Sequence, residues 1–590
     1  MKKKCLLLPF VFLAAFVAAA AAPSVKDTVD SIADRLHAAL TEDQLVALDE
    51  ATLEKFVTPE DKAVLATRHW QFDVDVPVVV YVMREMSQPT TPFWLAESGF
   101  EKTDMTIKAT GSDMNFEVWR KKFDTGRVGL GINGFDKHRP HYFVAVKPQK
   151  AGAKLTITNP YPEWQEVHEL KPGAFFYHDW SELGVAAVPD EMAGSLILPT
   201  MRGRAREAHF IGGFRKTSYA SSNTPDDVVL TPNDESPADS MAVQWRTRPE
   251  VTAGAARFRA KGEPEWKTAE ATREVVEDKF IVNDRSVAFF TAVMDGLKPG
   301  GEYEYEINAD NGDWLSQGSF KTAPDPGQPF TFAFLSDTHN RPESEALLAK
   351  VTSMYPQTSF VTISGDLVGT GQYRDDWDAL FNLAGSYFNR LPVAPSIGNH
   401  DGIDGLGVDL YLAQFDLPKN GPATLDPERA YSFHYGNALF VMPDVVAPVS
   451  TQTAWIEAQL RDAKDTWKFV VFHFPPYSPG VTEPEIVKEW VPLFDKYHAD
   501  FVLSGHVHHY VRTHPLKAGE VQPSPNDGTI YVVTVSVSGR DRPPRSHPKA
   551  AFMKSSAAAL CNVFTVDGNT VTMKAIDAEG NVQDQLTVTK

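Results

Sequence analysis

Between Phe330 and Tyr510, five apolar runs each end in side chains that bind metals or move protons. FTFAFLS leads into Asp337-Thr338-His339, FVTIS into Gly365-Asp366, VAPSI into Gly398-Asn399-His400-Asp401, WKFVVF into His473, and ADFVLS into Gly505-His506-Val507-His508. Amphipathic stretches lie between them. In PEIVKEWVPLFDKYH, for example, Ile486, Val487, Trp490, Val491, Phe494 and Tyr497 recur at helical spacing. Strands alternating with helices predict an α/β sandwich with largely parallel strands. Open α/β sheets bind ligands at the carboxyl ends of their strands, the edge to which these five runs deliver their polar side chains.

The residue types narrow the chemistry. No cysteine is present in the set, which argues against a structural zinc site. Imidazoles mixed with carboxylates suit manganese, iron or zinc, and the oxygens are too few for calcium. One carboxylate shared by two ions would hold them roughly 3.5–4 Å apart, a spacing suited to in-line displacement at phosphorus. One such ion makes hydroxide available by lowering the pKa of a shared water, and both absorb charge on the phosphoryl oxygens. Each motif alone is weak, since a strand-ending Asp is usually a cap or turn residue. The five in the order D-x-H, G-D, G-N-H-D, H, G-H-x-H are specific.

That order resembles the calcineurin-like metallophosphoesterase superfamily over about residues 330–590. The resemblance implies a four-layer αββα sandwich and two divalent or trivalent metal ions. One ion would take Asp337, His339, Asp366 and His508, and the other Asp366, Asn399, His473 and His506, with Asp366 bridging. It implies that His400 is the acid or transition-state-stabilising histidine, and that Asp401 orients it. His506 and His508, two residues apart on an extended segment, face the same way and can reach neighbouring ions. His509 points away as a bystander.

Purple acid phosphatases are a closer likeness in domain plan. GHVHHYVR resembles their G-H-V-H-x-Y-x-R, HFPPYS their H-x-P-x-Y-S, and the final strands from YVVTVSVSG onward their closing strands. Upstream, DGLKPGGEYEYEI and FKTAP resemble a fibronectin type III domain and the N-terminal domain of that family. The chain departs from the family in three places. His339 stands where the family has Gly. Gly369 stands where it has a tyrosinate ligand, with Tyr373 four positions further on. PGVTEPEIVKEW lacks the family's outer histidines. Tyrosinate–iron(III) charge transfer is then not expected, and His400 remains as the main proton donor.

The rest of the chain divides readily. Three lysines precede an apolar, alanine-rich run in MKKKCLLLPFVFLAAFVAAAAAPS, the layout of a signal peptide over residues 1–22 with cleavage near Ala20–Ala22. A secreted or periplasmic protein with no membrane span after removal of the signal is expected. Cys5 leaves with it and only Cys561 remains, so no internal disulfide is possible. Loss of the three lysines takes the formal net charge from −20 to −23. Such a protein offers no general nucleic-acid surface, and a phosphate site in it must carry its own positive charge.

Residues 23–215 read as a helical lead-in followed by a β-rich domain. TPED marks a helix start, with Thr58 as cap and Pro59 in the first turn. GLGING at 129–134 fits G-x-G-x-x-G, but a turn and a strand follow it where a dinucleotide site needs a helix, and Asn133-Gly134 reads as a hairpin. MRGRAREAHFIGGFRK at 201–216 reads as a solvated basic face or linker, and TSYASSNTPDD as a linker. Residues 225–325 form the fibronectin type III-like unit, in which Met241, Val243 and Trp245 alternate with polar residues as in half-buried strands. Residues 329–590 form the catalytic unit, where GTGQYRDDWD (369–378) and the loop after His400 shape the pocket. The leading expectation is a phosphoesterase acting on a small-molecule monoester or diester. The alternative is an extracellular binding or surface module with a weakly active phosphoesterase-like domain. Its glycan or cell-surface contact would fall to Trp94, Trp119 and Trp164 of the N-terminal domain, although core packing is the more ordinary role for such residues.

Overall fold

The structure is a computed structural model that describes residues 23–110, 112–136, 141–163, 165–178, 183–310, 312–402, 407–479, 483–538, 546–555 and 559–590. The expected signal peptide and Trp164 lie outside the described residues. The lead-in consists of helices Val25–Ala39, Glu42–Val46, Glu50–Leu53 and Pro59–Thr67. At the last of these, Thr58 Oγ1 accepts from Asp61 N at 3.2 Å while the Asp61 carboxylate accepts from Thr58 N at 2.8 Å. This is the reciprocal cap that the TPED run predicts.

An antiparallel six-stranded sheet follows, in the order Glu101–Lys108, Asn115–Phe123, Val78–Glu85, Phe143–Pro148, Leu196–Leu198, His168–Glu169. Gly126–Leu130, Trp70–Val74 and Ile157–Tyr161 form a smaller sheet. The GLGING run therefore makes no hairpin. It leads out of the smaller sheet toward the larger one, and its own Asn133 is buried, Oδ1 accepting from Tyr142 N at 3.4 Å. Trp94 is 1% exposed and donates its indole N–H to the Ile132 carbonyl at 2.7 Å, which makes it a core residue and removes it from any glycan platform. Trp119 is half-buried and donates to Glu117 Oε1 at 2.9 Å.

The second unit is a sandwich of two four-stranded sheets. One is ordered Asp226–Thr231, Ser240–Thr247, Ser286–Asp295, Thr272–Glu277, and the other Lys267–Glu270, Gly254–Ala260, Glu302–Ala309, Leu315–Lys321. Met241, Val243 and Trp245 fill its core as the alternation predicts. Strand Ser240–Thr247 is nevertheless buried along its whole length rather than on one face. Its other face meets the third unit, and there Arg246 is a buried cation. Arg246 is 1% exposed and pairs with Asp226, Asp227 and Asp378. Asp378 also takes Arg374 Nη1 at 3.2 Å and the Thr217 hydroxyl at 2.7 Å, so three parts of the chain share one buried charge cluster. Truncating one member of a buried ionic group leaves its partners uncompensated, at a cost of about 3–5 kcal/mol. Asp378→Ala is therefore expected to lower the unfolding free energy of the full chain by that order, read as a fall in the denaturant midpoint. An unfolding curve superimposable on wild type would show that the cluster adds nothing.

Two sheets face each other in the third unit. The first runs Val393–Pro395, Thr358–Ile363, Phe330–Leu335, Leu560–Asp567, Thr570–Asp577, Val582–Thr589, and its first three strands are parallel. The second runs Tyr431–Tyr435, Ala438–Met442, Trp467–Val471, Phe501–Ser504, Ile530–Val533, Tyr510–Thr513, Ala550–Lys554. Ala438–Met442 through Ile530–Val533 are parallel. Phenylalanines from both sheets interlock between them: Phe332 meets Phe440 and Phe469 edge-on at 5.1 and 5.2 Å, and Phe564 meets Phe469 at 5.8 Å. Helices Pro342–Met354 and Arg374–Phe388 supply side chains to the core of the first sheet. Helix Thr453–Asp462 and those after Pro484 pack on the second. The predicted α/β sandwich is present, with antiparallel strands added at the edges. The single helix read in PEIVKEWVPLFDKYH is two, Pro484–Glu489 and Val491–Tyr497. Pro492 has no N–H to continue the first, so the chain breaks at Trp490.

Candidate metal centre

All five motif-bearing strands end at one edge of the sandwich. Asp337 and His339 follow Phe330–Leu335, Asp366 follows Thr358–Ile363, Asn399 follows Val393–Pro395, His473 follows Trp467–Val471, and His506 and His508 follow Phe501–Ser504. Backbone bonds sew the ends together: Asp337 N to Gly365 O at 3.0 Å, His339 N to Asp366 O at 3.0 Å, and Gly505 N to His473 O at 3.0 Å.

Three overlapping clusters result. Asp337, His339 and His508 form one, His339, Asp366 and His400 a second, and Asp366, His473 and His506 a third, the ligand atoms within each lying within 4.8 Å of one another. Asp366 is shared. Its Oδ2 lies 3.1 Å from His473 Nε2 and 3.7 Å from His339 Nε2, and its Oδ1 accepts from His400 N at 2.8 Å. His508 Nε2 lies 3.2 Å from Asp337 Oδ1, and Asn399 Oδ1 is 3.2 Å from His506 Nδ1. His509 belongs to none of these clusters.

Backbone conformation contributes to this arrangement. Asp337, His339, Asp366, His506 and His508 all have φ between 45° and 71°. Non-glycine residues rarely occupy this left-handed region, and local strain of this kind gathers at functional sites. His506 and His508 reach different clusters through these turns, not along the extended segment expected from the sequence. A methyl group at Gly505 would overlap Ser336 Oγ and the Asp337 carboxylate, so only glycine lets the two strand ends approach.

The donor set fits metal cations. His473 Nδ1 lies 2.8 Å from the Ser364 carbonyl, which can only accept, so Nδ1 carries the ring proton. Nε2 then presents a lone pair, buried and with no hydrogen-bond partner, toward the Asp366 carboxylate. His339 Nε2 and His508 Nε2 likewise face each other at 3.2 Å. Electron-rich atoms so arranged call for positive charge among them. In the ion-free chain a proton takes that part: burial disfavours charge on His473, but the Asp366 carboxylate overrides it and lifts the ring to about 9. Burial also opposes ionisation of Asp337, yet its bond to His508 and the charge on His473 hold the carboxyl down at about 2. Burial and the His473 charge push His506 down to about 3, which leaves it a neutral donor.

His400 and Asp401 play different parts. His400 Nδ1 lies 2.7 Å from the Gly369 carbonyl, so this nitrogen bears the proton and Nε2 is left for chemistry. Asp401 does not orient it, contrary to the expectation from the sequence. The Asp401 carboxylate accepts from Leu367 N at 2.8 Å, Val368 N at 3.2 Å and Gly398 N at 2.9 Å, pinning the Asp366 loop to the Asn399 loop. Main-chain carbonyls of Ser364 and Gly369, which orient His473 and His400, carry no side-chain signature in the sequence. Tyr373, the only phenol near the missing tyrosinate position in sequence, is outside the clusters; its hydroxyl meets His209 Nδ1 at 3.3 Å.

Comparison with known proteins agrees with this architecture. Residues 330–510 match the calcineurin-like phosphoesterase family, and residues 225–322 match the purple acid phosphatase N-terminal domain. An uncharacterized protein of Mycobacterium tuberculosis is 27% identical over 271 residues, covering 38% of this chain and 51% of its own length. The chain thus spans about half the length of that relative. The Fe(3+)-Zn(2+) purple acid phosphatase 12 of Arabidopsis thaliana is 24% identical over 378 residues, covering 56% of this chain and 79% of its own. The structure of the purple acid phosphatase PPD1 from yellow lupin (Lupinus luteus) seeds shares the fold, with a TM-score of 0.56 at 16% identity over 89% of this chain and 93% of that one.

Proposed function

We propose, from the calcineurin-like phosphoesterase domain set behind a purple acid phosphatase N-terminal domain, that this protein is an exported, two-metal hydrolase of phosphoric monoesters or diesters. The observation that carries the reading is the convergence of ligands from five strand ends on the shared carboxylate of Asp366. Asp337, His339, Asp366 and His508 would hold one ion, and Asp366, Asn399, His473 and His506 the other. Manganese, iron and zinc all suit these donors, and the Fe(3+)-Zn(2+) relative supports a binuclear pair. Two bound ions supply charge against the phosphoryl oxygens and bring the pKa of water toward neutrality.

The chain supplies the rest. Its four ligand imidazoles are neutral donors once the cations replace their extra protons, and the two buried carboxylates balance the charge. His400 acts as the acid in its doubly protonated form: Nδ1–H stays on the Gly369 carbonyl, which fixes the ring, and the Nε2 proton passes to the departing oxygen as an oxygen from water replaces it on phosphorus. Two cations held at this edge would give an acidic protein the local positive charge that a phosphate ester requires. Export is supported by the lysine-led apolar run before residue 23. Among the described residues no helix is long and apolar enough to cross a membrane.

The test is hydrolysis of p-nitrophenyl phosphate and bis-p-nitrophenyl phosphate by the purified chain supplied with Mn, Fe or Zn. Turnover should vanish on chelation and return on adding metal. The ratio of rates on the two esters assigns the substrate class. No turnover of either ester with any of the metals would refute the reading.

A further inference from the structure

The basic run at 201–216, expected to be a solvated face, is largely buried. Arg206 is only 8% exposed, and Arg204, His209, Phe210 and Phe214 are buried with it. Composition misled here because the partners that bury the charges come from distant parts of the chain.

Side chains of this run face two ways. Toward the N-terminal domain, Arg204 pairs with Glu207 at 3.3 Å and caps the His69 carbonyl. Glu207 takes His69 Nδ1 at 2.9 Å, and His69 Nε2 meets His141 Nε2 at 2.8 Å. Toward the catalytic domain, Arg206 Nη1 donates to Thr370 Oγ1 at 3.3 Å, and its guanidinium lies 5.6 Å from the centre of the Tyr373 ring. Arg215 stacks on the same ring at 3.7 Å and donates to both Asp375 oxygens at 3.0 and 3.1 Å.

Thr370 and Tyr373 belong to the loop that seats His400. The Gly369 carbonyl takes His400 Nδ1 at 2.7 Å, and Gly371 N donates to the His400 carbonyl at 2.7 Å. Two glycines in this loop leave it little stiffness of its own. Its own domain holds its glycines, since Asn340 Oδ1 accepts from Gly369 N at 3.1 Å and the Trp377 indole donates to the Gly371 carbonyl at 2.9 Å, while Thr370 and Tyr373 are held from another domain by Arg206 and Arg215. A guanidinium can donate in its plane while its face lies on an aromatic ring, a combination an ammonium does not offer.

We infer that Arg206 is a positioning residue for the hydrolytic reaction: from the N-terminal domain it holds loop 369–373, and through that loop the ring of His400. The N-terminal domain thereby takes part in catalysis without touching substrate. This inference rests on the phosphoesterase reading above. Misplacing a catalytic group by about 1 Å can cost on the order of 10²-fold.

Arg206→Ala is accordingly expected to lower kcat by roughly 10- to 100-fold, with KM within about twofold of wild type and metal content unchanged. Thr370→Val, which removes only the hydroxyl acceptor, should lose kcat in the same sense and serves if Arg206→Ala does not fold. Wild-type kcat in either variant would overturn the inference, as would a rise in KM alone or a loss of metal that accounts for the loss of rate. ¹⁵N spectra of the His400 ring, assigned by their absence from His400→Ala, should broaden or shift in Arg206→Ala; unchanged ring signals would also overturn it. An inactive wild type defeats the phosphoesterase reading, and the ring spectra then decide the inference by themselves.

Discussion

Asp366→Asn is expected to abolish phosphoester turnover and to strip the protein of metal. The substitution keeps size and one carbonyl oxygen, so the amide oxygen can still accept from His400 N, as the Asp366 carboxylate does at 2.8 Å. What it removes is the negative charge facing His473 Nε2 and His339 Nε2 at 3.1 and 3.7 Å. Both ligand clusters depend on that charge, so one substitution weakens two sites together. The loss of rate should exceed the roughly 10²–10⁴-fold that follows removal of an acid–base group. Elemental analysis beside turnover provides the check. A variant that retained two metals and wild-type turnover would remove Asp366 from the centre of the mechanism.

His400→Ala separates proton delivery from metal binding. Residue 400 is tied to the shared ligand through its backbone N, which donates to Asp366, and alanine keeps that bond. Metal content should therefore stay at the wild-type level while kcat falls by about 10²–10⁴-fold. The loss should be larger for alkyl phosphates than for p-nitrophenyl phosphate, because a stabilised phenolate can leave without a proton. Equal losses on both classes, or loss of both metals, would show that His400 has another role.

Much of the third unit could be read from its sequence because strand ends carry their message locally. An apolar run followed by Asp, His or Asn states both the strand and what it delivers, and two sheets built this way bring their carboxyl ends together. The turns at those ends were harder to foresee. Left-handed conformations at Asp337, His339, Asp366, His506 and His508 fall on Asp and His, types that enter this region more often than most, but the chain holds many other Asp and His residues that do not adopt it. Asp401 shows the same limit. Its neighbour in sequence is His400, but its hydrogen-bond partners are backbone N–H groups at 367, 368 and 398. The arginines at 204, 206, 215 and 246 resemble surface charges in composition. The carboxylates, carbonyls and rings that bury them lie elsewhere in the chain.

Strand Ser240–Thr247 has no side that faces water. A unit that genes can shuffle needs a surface that tolerates solvent everywhere except at its tether. In this sandwich the strand is covered along its whole length, and Arg246 reaches the third unit to pair with Asp378. On the third unit Asp378 and Arg374 pair with each other and also with Arg246, Asp284 and Thr217 of the rest of the chain. The interval between residues 322 and 330, where one family match stops and the next begins, is therefore a seam in ancestry more than in the folded protein.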